Sequence, residues 1–471
     1  MERLLVSAAH KSSGKTTVSL GLCAALTARG HRVQAFKKGP DYIDPMWLAQ
    51  ASGHPCYNLD PYLMTAPGIE ALFARQARGA DISIVEGNKG LYDGLALDGS
   101  NSNAALAKLL GLPVLLVIDA RGMTRGIAPL ILGYQAFDRD VRIAGVILNR
   151  LGGSRHEAKL RAVIEHYTDV PVLGAIAEDP VLAVAERHLG LMPSAEHDDA
   201  QRQVQAIGER IAAQVDLDAV RALAAKAPAL AEPVVAPPAT QAGGDTRLRI
   251  GVPRDQAFGF YYPDDLQALQ DAGADLQPFD TLHDAALPAD LDGLFIGGGF
   301  PELFMTQLQD NSAMRAQIAR AIEAGLPTYA ECGGLMYLAR SITWRGRTAQ
   351  MVGAIAGDVN MHDRPVGRGY ASLAATEDMP WPGLADREVR GHEFHYSSLD
   401  QLPAAQRYAW RVTRGHGIDG RHDGLLHRNL LASYAHLRDV AGSGWAGHFI
   451  DFVRARRAPP QRPAPLLAQA S

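Results

Sequence analysis

SAAHKSSGKTTVSLGLCAAL, residues 7–26, sets Gly14-Lys15-Thr16-Thr17 between a short apolar strand (4–8) and an apolar helix (18–26). Strand, glycine-containing loop and helix in that order are the setting of a phosphate-binding loop. The first N–H groups of a helix have no intrahelical acceptor and face outward, so they receive phosphate oxygens. Lys15 adds a point charge for the terminal phosphates, and the Thr16 hydroxyl is a candidate Mg²⁺ ligand. Ser13, Gly14, Lys15, Thr16 and Thr17 are the expected contacts of a nucleoside triphosphate. Ala9 stands where such a loop usually opens with Gly.

Outward from this loop, short apolar runs at 33–37, 82–86, 114–119, 143–148 and 172–175 read as strands buried on both faces. The lengths between them suit crossover helices, which makes the first half a doubly wound α/β domain ending near Pro193. A helical pattern at 200–225 leads into KAPALAEPVVAPPATQAGGDT, a Pro/Ala/Gly-rich linker over 226–246. Strands at 248–252, 293–296 and 327–330 open a second α/β pattern. The expected division is 1–195, a helical and linker segment 196–246, a second domain 247–453 and a disordered tail 454–471.

In an open parallel sheet, ligands collect at the carboxyl ends of the strands. Asp41 and Asp44 in GPDYIDP, and Glu86 and Asp93 in VEGNKGLYDG, fall there. Glu86 ends an apolar strand, where a carboxylate is costly without a partner and where one would hold Mg²⁺. Asp44 is a second expected metal-side carboxylate; Asp41, Tyr42, Ile43 and Asp93 are the expected substrate contacts. Asp41 and Asp44 also suit the capping of a turn or helix. Lys37, Lys38, Lys89, Arg121 and Arg125 form a basic set at the same sheet edge, suited to clamping an anion.

In PTYAECGGL, residues 327–335, Cys332 directly follows a strand and is backed by two glycines and a helix. That is the sequence of a nucleophile elbow, with a thiol exposed at a helix N-terminus. Gly297-Gly298-Gly299 ends another strand, and the amides of Gly298 and Gly299 are the expected oxyanion hole. Candidate bases are His436, His392 and His395.

Composition narrows the field. A net charge of −5 provides no global basic field for nucleic acid, so no nucleic-acid partner is expected. The three cysteines, Cys23, Cys56 and Cys332, are too scattered for a disulfide framework or metal cluster and fit a reducing cytoplasm. MERLLVSAAHK lacks a signal-peptide core, and no uncharged apolar run reaches the ~18 residues of a membrane span.

Together these motifs resemble a known family over about residues 1–450. Cys332 with GGGFPE before it and ASYAH after it resembles a class I glutamine amidotransferase domain of the corrinoid-amidase variety. FKKGPDYIDP, NLDPYLM (58–64), VEGNKGLYDG, FGFYYPDDL (258–266) and GHEFHYS resemble the cobyrinate or hydrogenobyrinate a,c-diamide synthases. The first half also resembles dethiobiotin synthetase, which activates a carboxylate with ATP. The resemblance implies two doubly wound α/β domains, P-loop NTPase-like and then class I glutamine amidotransferase-like.

It further implies Cys332 as glutaminase nucleophile with His436 as its base, and an ATP site at Gly14, Lys15 and Thr16. Glu86 and the Asp41/Asp44 pair would lie at the metal and substrate. The implied activity is ATP- and glutamine-dependent amidation of the a and c acetates of cobyrinate or hydrogenobyrinate in cobalamin biosynthesis. Mg²⁺ is the implied cofactor and a tetrapyrrole polycarboxylate the partner, and a homodimer is one assembly the chain allows. Sirohaem or nickel sirohydrochlorin is the alternative substrate. A nucleotide-switch ATPase with a non-catalytic glutaminase-like domain is a further reading. Many triad glutaminases read His-x-Glu, whereas this chain reads His436-Leu437-Arg438, so no acid follows the base; the corrinoid-type domains lack that Glu too.

Overall fold

Leu4, Leu5, Val6 and Ala8 are all shut off from solvent, as happens in the interior of a parallel sheet covered on both faces. They belong to β1 (Glu2–Ala8), the central strand of the first of two units in the computed structural model. The structure describes residues 1–182, 186–187, 190–191, 199–230, 247–385, 387–440 and 443–457.

The first unit alternates strand and helix: β1, α1 (Lys15–Ala28), β2 (Val33–Lys38), α2 (Ile43–Ser52), β3 (Tyr57–Leu59), α3 (Ala66–Gln76), β4 (Ile82–Glu86), α4 (Asn103–Leu110), β5 (Val114–Asp119), α5 (Ile127–Phe137), β6 (Ile143–Leu151), α6 (Ser154–Tyr167) and β7 (Val172–Ala177). The seven strands are all parallel, in the order β3-β2-β4-β1-β5-β6-β7. Strand order reverses around β1, which places the loop after it at a topological switch point. The expected strands are present; β3 is an addition.

The helical segment expected between domains is instead part of the first unit. In α7 (Ala200–Gln214), Val204, Ile207 and Ile211 share one apolar core with Val18 and Leu22 of α1. In α8 (Leu217–Ala224), Val220 and Leu223 join the same core. Their 3.6-residue apolar stripe needs a partner, and α1 supplies it. Two later stretches, Phe260–Leu266 and Arg438–Ser443, also belong to this unit. Within it the buried Arg438 guanidinium donates to Asn58 O (2.9 Å) and Asp264 Oδ2 (2.5 Å) and lies 4.6 Å from the Tyr262 ring centre. The expected Pro193 boundary, most of the linker and most of the tail lie outside the described residues.

The second unit has a ten-stranded mixed sheet. Its strands are β8 (Leu248–Pro253), β9 (Ala274–Phe279), β10 (Gly293–Ile296), β11 (Thr328–Glu331), β12 (Gly367–Ala375), β13 (Glu388–His395), β14 (Arg407–Arg414), β15 (His422–His427), β16 (Leu430–Ser433) and β17 (His436–Leu437). In the order β9-β8-β10-β11-β16-β15-β14-β12-β13-β17, the first five are parallel and the rest run antiparallel. The parallel half is the doubly wound pattern expected from sequence; the antiparallel half extends it. Among the described residues no helix is long and apolar enough to cross a membrane.

Candidate active sites

In the first unit the chain leaves β1 and enters α1 at Lys15 with Gly14 at φ +89°. A β-carbon on Gly14 would lie 2.1 Å from Asn149 Nδ2, which donates to Ser13 O (2.9 Å). Glycine is therefore required there on both backbone and steric grounds. Asn149, near the end of β6 in the strand-end stretch LNRLGG, braces the loop from behind.

Thr16 Oγ1 donates to Glu86 Oε1 (2.6 Å) and more weakly to Asp44 Oδ2 (3.4 Å). The Lys37 ammonium bridges the same two carboxylates, 2.5 Å from Asp44 Oδ2 and 3.0 Å from Glu86 Oε1. Burial pushes the Glu86 carboxyl up, against the pull of Lys37. Burial also tends to lower Lys37, but the Asp44 and Glu86 carboxylates overcome it and hold the ammonium charged. Burial and the nearby Lys37 charge lower Lys15. Glu86 Oε2 is buried and has no hydrogen-bond partner among the described residues. A hydroxyl, two carboxylates and an orphaned carboxylate oxygen are an all-oxygen donor set. That suits Mg²⁺, which takes one or two carboxylates and completes its shell with water and substrate phosphate. Accordingly, no cluster of three or more His, Cys, Asp or Glu forms a metal cage by itself among the described residues.

Within the GPDYIDP loop the four side chains take different intramolecular partners. Asp41 Oδ1 accepts from Ile43 N (2.9 Å) and Asp44 N (3.1 Å), so this side chain secures the start of α2. Burial and the Asp44 charge push Asp41 up to about 7. Tyr42 stacks on Phe260 (5.2 Å between ring centres) and Tyr262 (4.4 Å), and Ile43 packs on the apolar core. Asp44 alone of the four faces Thr16 and Lys37. The exposed Asp93 accepts from Gly90 N (2.8 Å) within its own loop. Ser13 Oγ donates to His10 O (2.8 Å), and Thr17 Oγ1 donates to Leu182 O (3.3 Å).

The basic set does not act as one clamp. Lys37 is consumed by Asp44 and Glu86, Arg121 by Asp119 (2.7 Å), and Arg125 lies over the Tyr167 ring (5.1 Å). Lys38 is buried, whereas Lys89 is exposed at φ +53°.

In the second unit Cys332 caps α10 (Gly333–Leu338), the helix after α9 (Ser312–Glu323), with φ +48° and ψ −102°. A non-glycine residue there is strained, as at a nucleophile elbow. The elbow sits tight on the glycine loop: a β-carbon on Gly333 would be 2.8 Å from Gly299 N, and one on Gly334 would be 2.3 Å from Ile296 O. Gly299 itself lies against Ala257, where a β-carbon would be 1.9 Å from the carbonyl oxygen. The backbone of the elbow and that of the Gly297–Gly299 loop are therefore in close contact.

His436 reaches the same point from β17. Its imidazole hydrogen-bonds the Cys332 side chain, and Nδ1 lies 3.4 Å from Glu331 Oε2. Burial opposes the charge, but Cys332 and Glu331 outweigh it and raise the imidazole to about 10. The backbone around it is pinned: Asp423 accepts from Tyr434 N and Ala435 N (both 2.9 Å), and Cys332 N donates to Ser433 O (2.7 Å). His392 stacks on His436, with ring centres 4.8 Å apart. His395 stacks on Tyr434 (3.9 Å), and its Nδ1 is 2.9 Å from Ser397 O. Of the three candidate bases, His436 is the one bonded to the thiol. Sequence reasoning assigns no role to Asp423, which lies in no motif, or to Glu331, which lies within PTYAECGGL.

Residues 5–191 match the CobQ/CobB/MinD/ParA nucleotide binding domain family, and residues 249–439 the CobB/CobQ-like glutamine amidotransferase domain family. A relative from Magnetococcus marinus named cobyrinate a,c-diamide synthase is 47% identical over 458 residues, spanning 96% of this chain and 97% of its own. The chain belongs to the cobyrinate a,c-diamide synthase family. Proteins of the same name from Methanosarcina acetivorans (43% identical, 97% of each chain) and Listeria monocytogenes (39%, 93% of this chain and 96% of its own) match as fully.

Proposed function

We propose that this protein is a carbon–nitrogen ligase that amidates the a and c acetate carboxylates of cobyrinate or hydrogenobyrinate, with ATP and glutamine. One observation carries the reading: a single chain, matched end to end by proteins named for that reaction, keeps both sets of reactive side chains. That the relatives are named for cobyrinate favours it over sirohaem or nickel sirohydrochlorin.

In the second unit the Cys332 thiolate attacks the glutamine side-chain amide, and amides of Gly298 and Gly299 hold the oxyanion. The His436 imidazolium gives its proton to the leaving nitrogen, so ammonia departs as the thioester forms. Water activated by His436 then frees glutamate and restores the thiol. In the first unit a substrate carboxylate oxygen attacks the γ-phosphorus of ATP and ADP leaves. Ammonia displaces phosphate from the resulting acyl phosphate, giving the amide. Lys15 and the amides that open α1 hold the phosphates. Thr16, Asp44 and Glu86 would hold Mg²⁺, which supplies charge neutralisation across the phosphates. Lys37 pairs with both carboxylates, at Asp44 Oδ2 and Glu86 Oε1, and holds them side by side at the site. A location in the cytoplasm fits this chemistry.

The test is direct. Purified protein with ATP, Mg²⁺ and glutamine should convert cobyrinate or hydrogenobyrinate to a species whose mass fits two carboxyl-to-amide exchanges, with a monoamide on the way. Conversion of sirohaem alone would replace the substrate, and ATP hydrolysis without any amidated product would overturn the reading.

A further inference from the structure

His436-Leu437-Arg438 leaves the base without the acid that usually follows it two residues on. A buried imidazole that must alternate between acceptor and donor needs its tautomer fixed by whatever its other nitrogen faces. In this chain that nitrogen, Nδ1, faces Glu331 Oε2 at 3.4 Å. Glu331 is the last residue of β11 and precedes the nucleophile directly.

We infer that Glu331 is the acid of the glutaminase triad, supplied from the nucleophile's own strand. Its carboxylate is buried and its two oxygens are divided. Oε1 accepts from Tyr329 Oη (2.5 Å) and from Leu437 N (2.9 Å), the residue after the base. Oε2 is left for Nδ1 of His436. One side chain thus holds the ring and the backbone that carries it. An ionised carboxylate at Nδ1 keeps the proton there and presents Nε2 to the Cys332 thiol as acceptor. After proton transfer it faces an imidazolium. The side chains of successive strand residues point to opposite faces, and the sharp turn at Cys332 (φ +48°) lets residues 331 and 332 reach one imidazole. Glu331 does not touch glutamine and is a positioning residue.

This rests on the reading that Cys332 and His436 hydrolyse glutamine, and the two can fail separately. Cys332→Ala should abolish glutamine-dependent amidation and spare ammonia-supported amidation; if it does not, the glutaminase reading falls. Glu331→Gln is isosteric and can still accept from Leu437 N, but its amide donates to Nδ1 and forces the wrong tautomer. It should lower kcat/KM for glutamine by about 10²-fold or more, leave the ammonia-supported rate within a factor of about three, and move the alkaline limb of the glutamine pH profile down by about one unit or more. A fall in rate with the alkaline limb unmoved would mean a merely structural side chain and overturn the inference, as would near-normal glutamine use. Should Glu331→Gln also lose ammonia-supported synthesis, Glu331→Asp decides. Retaining the charge, it should keep the wild-type alkaline limb at a reduced rate; a limb shifted downward would overturn the assignment.

Discussion

The Lys37 ammonium stands 3.0 Å from the Glu86 carboxylate, and neither side chain reaches solvent. Removing one partner of such a pair strands the other's charge in a low-dielectric interior, which costs about 3–5 kcal/mol. Lys37→Met should therefore lower the midpoint of thermal unfolding, and added Mg²⁺ should restore part of the loss by taking over Glu86 and Asp44. Unfolding curves with and without Mg²⁺ check both; a variant as stable as the parent would show that the pair does not hold the site.

Cys332→Ala should separate the two half-reactions. Synthesis from glutamine disappears while synthesis from ammonium salts persists, because the thiol serves only to release ammonia. Product mass with each nitrogen source gives the answer, and failure with saturating ammonia in a folded protein would contradict the division of labour.

Lys15→Ala should remove synthesis with either nitrogen source, since acyl phosphate formation needs the charge at the terminal phosphates. Thioester formation at Cys332 should survive in the variant, as measured by labelling with a glutamine-analogue affinity reagent. Most of the activity remaining with ammonia would dismiss the phosphate-loop assignment.

Asp44→Asn and Tyr42→Ala should behave unlike each other. Asp44 faces Thr16 and Lys37, so its loss should cut kcat by about 10²-fold or more. Tyr42 is held by Phe260 and Tyr262, so its truncation should cost about 3–5 kcal/mol of stability at most. Steady-state kinetics beside unfolding curves distinguish them; equal, purely kinetic defects would mean that Tyr42 faces substrate after all.

Asp423 makes a pH prediction for stability. Burial raises its carboxyl to about 6, above its unfolded value, despite the backbone amides of Gly424, Tyr434 and Ala435. The folded chain therefore binds the proton more tightly, and this group's contribution falls as pH rises from about 4 to about 6, then stays level. Asp423→Asn should flatten that segment of the stability–pH curve. An unchanged slope between those limits in the variant would assign it to another group.

Much of this was legible because it is local. The phosphate loop, the elbow and the glycine loop are each written in fewer than ten residues, and each sits after an apolar run long enough to read as a strand. β3 was not legible: Tyr57–Leu59 is too short to show a period. The antiparallel strands were obscured because they are not continuous apolar runs: Arg368 and Gly369 are exposed in one and Arg390 in another. The site acids divide on one physical point. A carboxylate closing a buried strand marks Glu86, and the same argument applies unchanged to Glu331, which precedes the nucleophile rather than following the base. Lys37 went astray for the opposite reason, since a strand-end lysine in sequence does not reveal the two carboxylates that bury it.

The positive φ of Cys332 sets catalysis and thermodynamics at odds at one residue. Any side chain there is held in a conformation that only glycine adopts freely, a strain of order 1–3 kcal/mol. The fold would rest more easily with no side chain where the reaction demands a thiol. Cys332→Gly should accordingly melt above Cys332→Ala, though both are equally silent toward glutamine. A lineage released from the need to use glutamine would drift toward glycine at this position and become sturdier as it lost the activity.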